Sequence, residues 1–267
     1  MARIPDSEQT IELMVNCKTY PAVSKKYVET VCTGGVQAGG QFVRLYPVPF
    51  RFLDTEEQYK RWDVIRVRAY RDTKDQRPES WHLMSGTPIE VVTHVSTDRR
   101  RWEWMRKTVH ISAAAMEEKG ITNGCVEIEP LEFYWEPDSK EWTASQLNVI
   151  QQGDLFATRE QLQGLADRVP WQFRLKYREK NTGREDDGKV LAWSMYQGFR
   201  RVSQQANEQQ ALETIADRVR QSIFNSERTV FAILGTHSRF GHWMISALYH
   251  LPTEIIEADK RKGDRLF

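Results

Sequence analysis

The chain has 267 residues, of which 40% are hydrophobic and 28% charged, with a formal net charge of +1. That length buries a sizeable core, and that composition excludes a disordered chain. The balanced charge excludes nucleic-acid binding through global basicity, so any such site is a local patch. Cys17, Cys32 and Cys125 are scattered with no Cys-x-x-Cys pair, which argues against a disulfide framework or a cysteine zinc site. The N-terminal MARIPDSEQT has no apolar h-region, and no apolar run is long enough to span a bilayer, so a cytoplasmic protein with no membrane contact is expected. Nine tryptophans supply core and rigid contact surface.

In chain order, the apolar run Ile11–Cys17 predicts a strand, and Lys18–Pro21 a turn, because a residue before proline avoids helical backbone. Ser24 suits a cap for a helix over Lys25–Cys32, with Tyr27, Val28 and Val31 on one face. Gly34, Gly35, Gly39 and Gly40 predict a turn into a strand over Gln41–Tyr46, which Pro47 and Pro49 terminate. Alternation predicts further strands over Trp62–Tyr70 and Pro88–Val95, separated by a polar loop, Arg71–Ser80. Trp102, Met105, Val109 and Met116 recur at helical spacing, so a helix is expected over Asp98–Gly120 with Gly120 as its C-terminal cap. Its first turn carries Arg99, Arg100 and Arg101. Cations there oppose the helix dipole, which points to phosphate contact; a solvated charged face is the alternative.

Cys125–Trp135 predicts a strand, Asn148–Pro170 a connecting segment, and Trp171–Glu179 a strand followed by a charged turn, Asn181–Gly188. Helices are expected over Val190–Gln205 and Asn207–Phe224, the second with an Asn207/Gln210 capping box and a buried face of Leu212, Ile215, Val219 and Ile223. Two strands, Arg228–Leu234 and Trp243–Leu251, flank the loop Gly235–His242. Strands and helices do not alternate as in a doubly wound sheet. The expected class is therefore α+β, with a mixed, mainly antiparallel sheet and packed helices. The expected division is an N-terminal region over 1–147, a connection over 148–170 and a C-terminal region over 171–267.

No Walker loop, Gly-x-Ser-x-Gly elbow or His-Glu-x-x-His is present. The stiff segment around Pro47 presents Arg44, Tyr46 and Arg51, a set that can hold a planar anion such as a nucleotide. Alternatively, Tyr46 and Phe50 pack inward and the arginines pair with carboxylates. The loop DQRPES offers Asp75, Arg77 and Glu79 within one turn. A carboxylate there, or Glu29, can activate water or stabilise a cationic sugar in N-glycosidic hydrolysis; the plain alternative is solvated ion pairing. Asn16, Lys18, Thr19 and Tyr20 stand at a strand end, where sites are often lined. His237, Arg239 and His242 at a hairpin tip suit phosphate binding or base stacking, or form an exposed polar turn. His237 and His242 lack a third ligand, so no metal is expected.

Several segments together resemble a family of small prokaryotic proteins of anti-phage gene neighbourhoods. They are KTYPAVSKKYVETVCTGGV with VRLYPVPFR, then DQRPESW, then FAILGTHSRFGHWMISALYHLP, with FRLKYREKNTGREDDGKVLAWSMYQGFRR as a degenerate fourth. The family resembles the defence DNA glycosylases that excise glucosylated hydroxymethylcytosine. The resemblance implies base flipping from double-stranded phage DNA, hydrolysis to an abasic site and no cofactor. It places Lys18, Tyr20, Arg44, Tyr46, Arg51, Arg77, His237 and Arg239 in DNA or base contact, with Asp75, Glu79 or Glu29 as the catalytic carboxylate. Relatives are expected to carry a Cys/His turn followed by Asp-Trp-Glu. Here Asn181–Gly188 has neither Cys nor His, and the triplet is Ala192-Trp193-Ser194, so no metal or acid role carries over there. The alternative to a glycosylase is a non-catalytic module that senses modified nucleic acid. A nuclease ranks third, for want of metal ligands.

Overall fold

A computed structural model describes residues 8–24, 28–71, 75–138, 168–237 and 241–263. The chain divides into two units, residues 1–94 with 136–172, and 95–135 with 173–267. Of the expected connection 148–170, all but Arg168–Pro170 lies outside the described residues.

Among the described residues the first unit holds seven strands: β1 (Gln9–Lys18), β2 (Ala22–Ser24), β3 (Val28–Val36), β4 (Phe42–Val48), β5 (Asp63–Arg71), β6 (Ser80–Leu83) and β7 (Glu90–His94). β1 pairs with β3, β3 with β4, β4 with β6 in parallel, β6 with β5, and β5 returns to β1. The ring closes. Five strands in which the third lies parallel to the fifth and the fourth returns to the first form the Greek-key barrel of the OB fold. β2 forms a hairpin with β3, and β7 adds to β5. The interior is aliphatic, with Leu13, Val43, Leu45, Ile65, Val67, Ala69 and Leu83 buried.

The second unit repeats the scheme. Its elements are α1 (Asp98–Met105), a 3-10 turn over Arg106–Thr108, β8 (Val109–His110), α2 (Ala113–Glu118), β9 (Asn123–Pro137), β10 (Trp171–Glu179), β11 (Glu185–Val190), α3 (Trp193–Ser203), α4 (Glu208–Ile223), β12 (Arg228–Thr236), β13 (Trp243–Pro252) and α5 (Thr253–Gly263). β9, β10, β11, β13 and β12 form a second closed ring, again with third and fifth strands parallel. The helices α3 and α4 fill the connection between its third and fourth strands. Asn207 and Gln210 make the expected capping box on α4, and Leu212 and Ile215 are buried. Phe173 stacks on Phe133 and meets Tyr196 of α3 edge-on, with centroids 6.0 and 5.2 Å apart.

The expected α+β class with helices packed on a mixed sheet is thus wrong: strands dominate, and each sheet closes on itself. Closure depends on β1–β5 and β9–β12, pairings between segments far apart in sequence that no local pattern encodes. Other local expectations also fail. The expected charged turn Asn181–Gly188 is strand β11 from Glu185 onward. Residues 28–36, the C-terminal part of the expected Lys25–Cys32 helix and the glycines after it, are strand β3. Val28, Thr30, Val31, Thr33 and Val36 are β-branched, and that preference overrides the i, i+3 spacing of two valines. The expected helix Asp98–Gly120 breaks at Thr108, whose hydroxyl donates to the Met105 carbonyl at 2.6 Å. Val109–His110 then pairs in parallel with β9, and Ser112 caps a new helix by accepting from the Ala115 amide. Finally, β4 runs through Pro47 to Val48, because its pairing with β6 ends at Leu45 and a register shift faces Pro47 on the β3 side. No described helix is long and apolar enough to cross a membrane.

Candidate nucleic-acid interface

In OB barrels the face of the second and third strands, with the first–second and fourth–fifth loops, holds oligonucleotides. In the first unit these are β3 and β4 and, among the described residues, the segments 19–24 and 75–79. Lys18, Tyr20, Arg44, Tyr46, Asp75, Arg77 and Glu79 lie on or beside these elements, and Arg51 follows β4 directly.

Arg44 on β4 is the hinge of the cluster. Its amide donates to the Glu79 carbonyl at 2.7 Å, and its Nη2 donates to Glu79 Oε1 at 3.0 Å. The pair is nearly buried, at 12% and 6% exposure. One turn earlier, Arg77 Nε donates to Asp75 Oδ1 at 2.8 Å, its Nη2 also meets the carboxylate, and Ser80 Oγ donates to Asp75 Oδ2 at 2.8 Å. Burial alone would raise the Asp75 pKa, but the Arg77 and Ser80 hydrogen bonds outweigh it and bring the value to about 2. Cys32 of β3 lies in the field of these groups. Burial raises its pKa, Arg44 and Arg77 lower it, and Asp75 and Glu79 raise it again. Arg71 stacks its guanidinium 4.2 Å from the Trp81 ring centre and donates to the Pro78 carbonyl, tying the loop to the end of β5.

The remaining residues stand around this cluster. Glu29 on β3, 4% exposed, accepts from Arg51 Nη1 at 3.3 Å. Lys18 places its ammonium 3.5 Å from the Phe50 ring centre and donates to the Tyr59 carbonyl at 2.9 Å. Burial pushes its pKa down to about 8, with Asp63 pulling the other way. The Tyr20 hydroxyl accepts from the Val169 amide at 3.0 Å. Tyr46, 41% exposed, presents its ring to solvent, while Phe50 is buried. Both alternatives for the Pro47 segment therefore hold in part: the arginines pair with carboxylates and Phe50 packs inward, but Tyr46 faces out.

His237 belongs to the second unit, and Arg239 lies outside the described residues. The His237 amide donates to the His242 carbonyl at 3.0 Å, and the two rings stack 5.5 Å apart. This loop joins β12 to β13, the fourth and fifth strands of its barrel. It is the topological counterpart of the Asp75–Glu79 loop.

Sequence reasoning missed two members of the first cluster, Cys32 and Trp81; Arg71, expected to pair with the loop carboxylates, instead stacks on Trp81. Cys32 was hidden by the expected helix, and Trp81 by the overlooked strand β6. Among the described residues no group of three or more His, Cys, Asp or Glu is placed to hold a metal.

Solved structures resembling the chain include a murine DNA-binding protein bound to double-stranded DNA, at 7% identity and a TM-score of 0.33, covering 91% of this chain and 94% of that one. They also include p202 HIN1 in complex with 12-mer double-stranded DNA, at 9% identity and 0.33, covering 92% and 93%. The barrel assignment is carried by the strand order, not by these likenesses. No curated protein matches the chain. Residues 9–111, which contain the whole first ring of strands, match the model of a domain of unknown function, DUF8758. Residues 105–267, more than half of the chain and all of β9–β13, match the model of another domain of unknown function, DUF8757, and the protein belongs to that family.

Proposed function

We propose that the protein is a non-catalytic DNA-binding module whose first barrel engages double-stranded DNA through the β3–β4 face and the loop residues 75–79. The observation that carries this reading is the strand order of two OB barrels, with Arg44, Tyr46 and Arg77 on the elements such barrels use for oligonucleotides. A duplex-binding module needs hydrogen-bond donors and cations for phosphates and base edges, and no reactive carboxylate. Asp75, Glu79 and Glu29 suit that role, since each holds an arginine in place. A general base has to accept a proton near neutral pH, and Asp75 at a pKa of about 2 is a poor one. The anti-phage setting and selectivity for hypermodified cytosine belong to the same proposal and rest on the sequence resemblance.

The test is a titration of the purified chain against labelled duplexes with and without glucosylated hydroxymethylcytosine, followed by an assay for abasic sites. Retention of duplex, tighter for the modified one, with no abasic sites, is the expected result. Accumulation of abasic sites, lost in Glu79→Gln, would return the protein to the glycosylase reading. An absence of both duplex retention and abasic sites would remove both readings.

A further inference from the structure

In the second barrel, the face that would correspond to the first barrel's ligand surface is a lattice of ion pairs. Lys176 on β10 donates to Glu132 at 2.6 Å, Arg178 spans Glu129 and Glu185, and Arg174 meets Asp187 at 3.1 Å. Every cation in these pairs is already matched. A phosphate arriving there would have to displace a carboxylate and stay beside it, at a cost in both repulsion and desolvation.

The helical side of the same unit is different. Arg99, Arg100 and Lys107, on α1 and the 3-10 turn after it, are exposed and meet no carboxylate among the described residues, and neither do Lys260 and Arg261 on α5. The two helices touch. Trp102 Nε1 donates to Asp259 at 3.0 Å, and Arg106 reaches the same carboxylate at 3.4 Å. Asp259 is thereby occupied, while Lys107 and Lys260 line the groove of 490 Å³ beside it, together with the Glu127 carboxylate. Acids are present too: Glu103 and Glu254 border the neighbouring groove with Arg99 and Arg261. Arg99 and Arg100 stand in the first turn of α1, where the helix dipole disfavours cations. Helix stability does not explain their placement, and both side chains are exposed.

We infer that the second barrel contacts DNA through the phosphate backbone on its α1–α5 side, and not through its strand face. This rests on the DNA-binding reading above, and it assigns the barrels different duties: base-face contact by the first, phosphate clamping by the second. Such contacts are independent of sequence and of base modification.

The full-length triple variant Arg99→Glu/Arg100→Glu/Lys107→Glu and the strand-face variant Lys176→Gln/Arg178→Gln are compared with the wild type by fluorescence anisotropy on one 20-mer duplex. Reversal of Arg99 and Arg100 suits the α1 dipole, so a loss of binding by the first variant is not a loss of fold, and an unchanged thermal midpoint checks this. A loss of at least about tenfold is expected for the triple variant, equal on modified and unmodified duplex, with the strand-face variant within about twofold of wild type. Wild-type affinity in the triple variant, or an equal loss in the strand-face variant, overturns the inference while leaving DNA binding intact. A wild type that retains no duplex refutes the underlying reading instead.

Discussion

At Lys18 burial and charge act against each other, and the balance makes a pH signature. Burial brings its pKa from 10.5 to about 8 despite the pull of Asp63. Below pH 8 the amine is charged in both states and the folded protein bears the full cost of burying an ammonium. Between pH 8 and 10.5 the unfolded chain binds a proton that the folded chain has released, so this group's contribution to stability rises with pH. Above pH 9 the Cys17 thiol, pushed up to about 12 by burial, acts in the opposite sense, because the unfolded thiol ionises first. Comparison with Lys18→Met isolates the lysine, since Cys17 is common to both proteins. Urea midpoints at pH 7 and pH 10 should show wild type gaining on the variant as pH rises. A difference constant over that range would mean the ammonium is solvated, with the Phe50 contact incidental.

Among the elements, β3 shows why glycines are needed in the middle of a strand. A Cβ on Gly35 would stand 2.5 Å from Leu13 Cδ1 and 2.8 Å from the Met14 carbonyl oxygen, and one on Gly34 would meet Cys17 Sγ at 2.5 Å. These are close approaches between paired strands, not turn geometry. Gly35→Ala should therefore destabilise the first barrel by about 1–3 kcal/mol, read as a lowered urea midpoint with an unchanged m-value. An alanine accepted without loss would mean that Leu13 and the β1 backbone yield to a methyl group at no cost. The same strand marks the limit of what local sequence reveals. The amphipathic α4, with its Asn207 cap, and the strands β5, β10, β12 and β13 were legible because each satisfies a local period or capping rule. β3 was obscured by glycines that resemble a turn. β6 was too short to show a period, and β11 is so charged that only its pairing with β10, Arg178 opposite Glu185 and Lys176 opposite Asp187, explains it as a strand. The candidate site was more visible than the fold. Loops rich in Arg, Asp and aromatic residues announced themselves one at a time, whereas the barrel that gathers Arg44 and Glu79 depends on ring closure across dozens of residues.

For the whole molecule, a net charge of +1 leaves the salt dependence of DNA binding to local cations. Each phosphate neutralised releases counterions, and the logarithm of affinity falls with the logarithm of salt concentration by about 0.9 per contact on duplex DNA. The arginines of the first barrel cluster are held by carboxylates: Arg44 by Glu79, Arg51 by Glu29 and Arg77 by Asp75. They neutralise phosphates less effectively than unmatched cations and serve better as shaped donors for a base or sugar. The unmatched cations among the described residues of the α1–α5 side, Arg99, Arg100, Lys107, Lys260 and Arg261, should then set the salt dependence. A slope of about −4 to −6 is expected for the wild type, and the Arg99/Arg100/Lys107 reversal should flatten it by about 3. Arg44→Met should weaken binding at every salt concentration while changing the slope by less than about 1, because its charge is already balanced by Glu79. Affinity measured from 50 to 300 mM KCl on one duplex separates these contributions. A slope near zero would remove phosphate contacts from the interface. A slope that changes with Arg44→Met and not with the triple reversal would exchange the duties assigned to the two barrels.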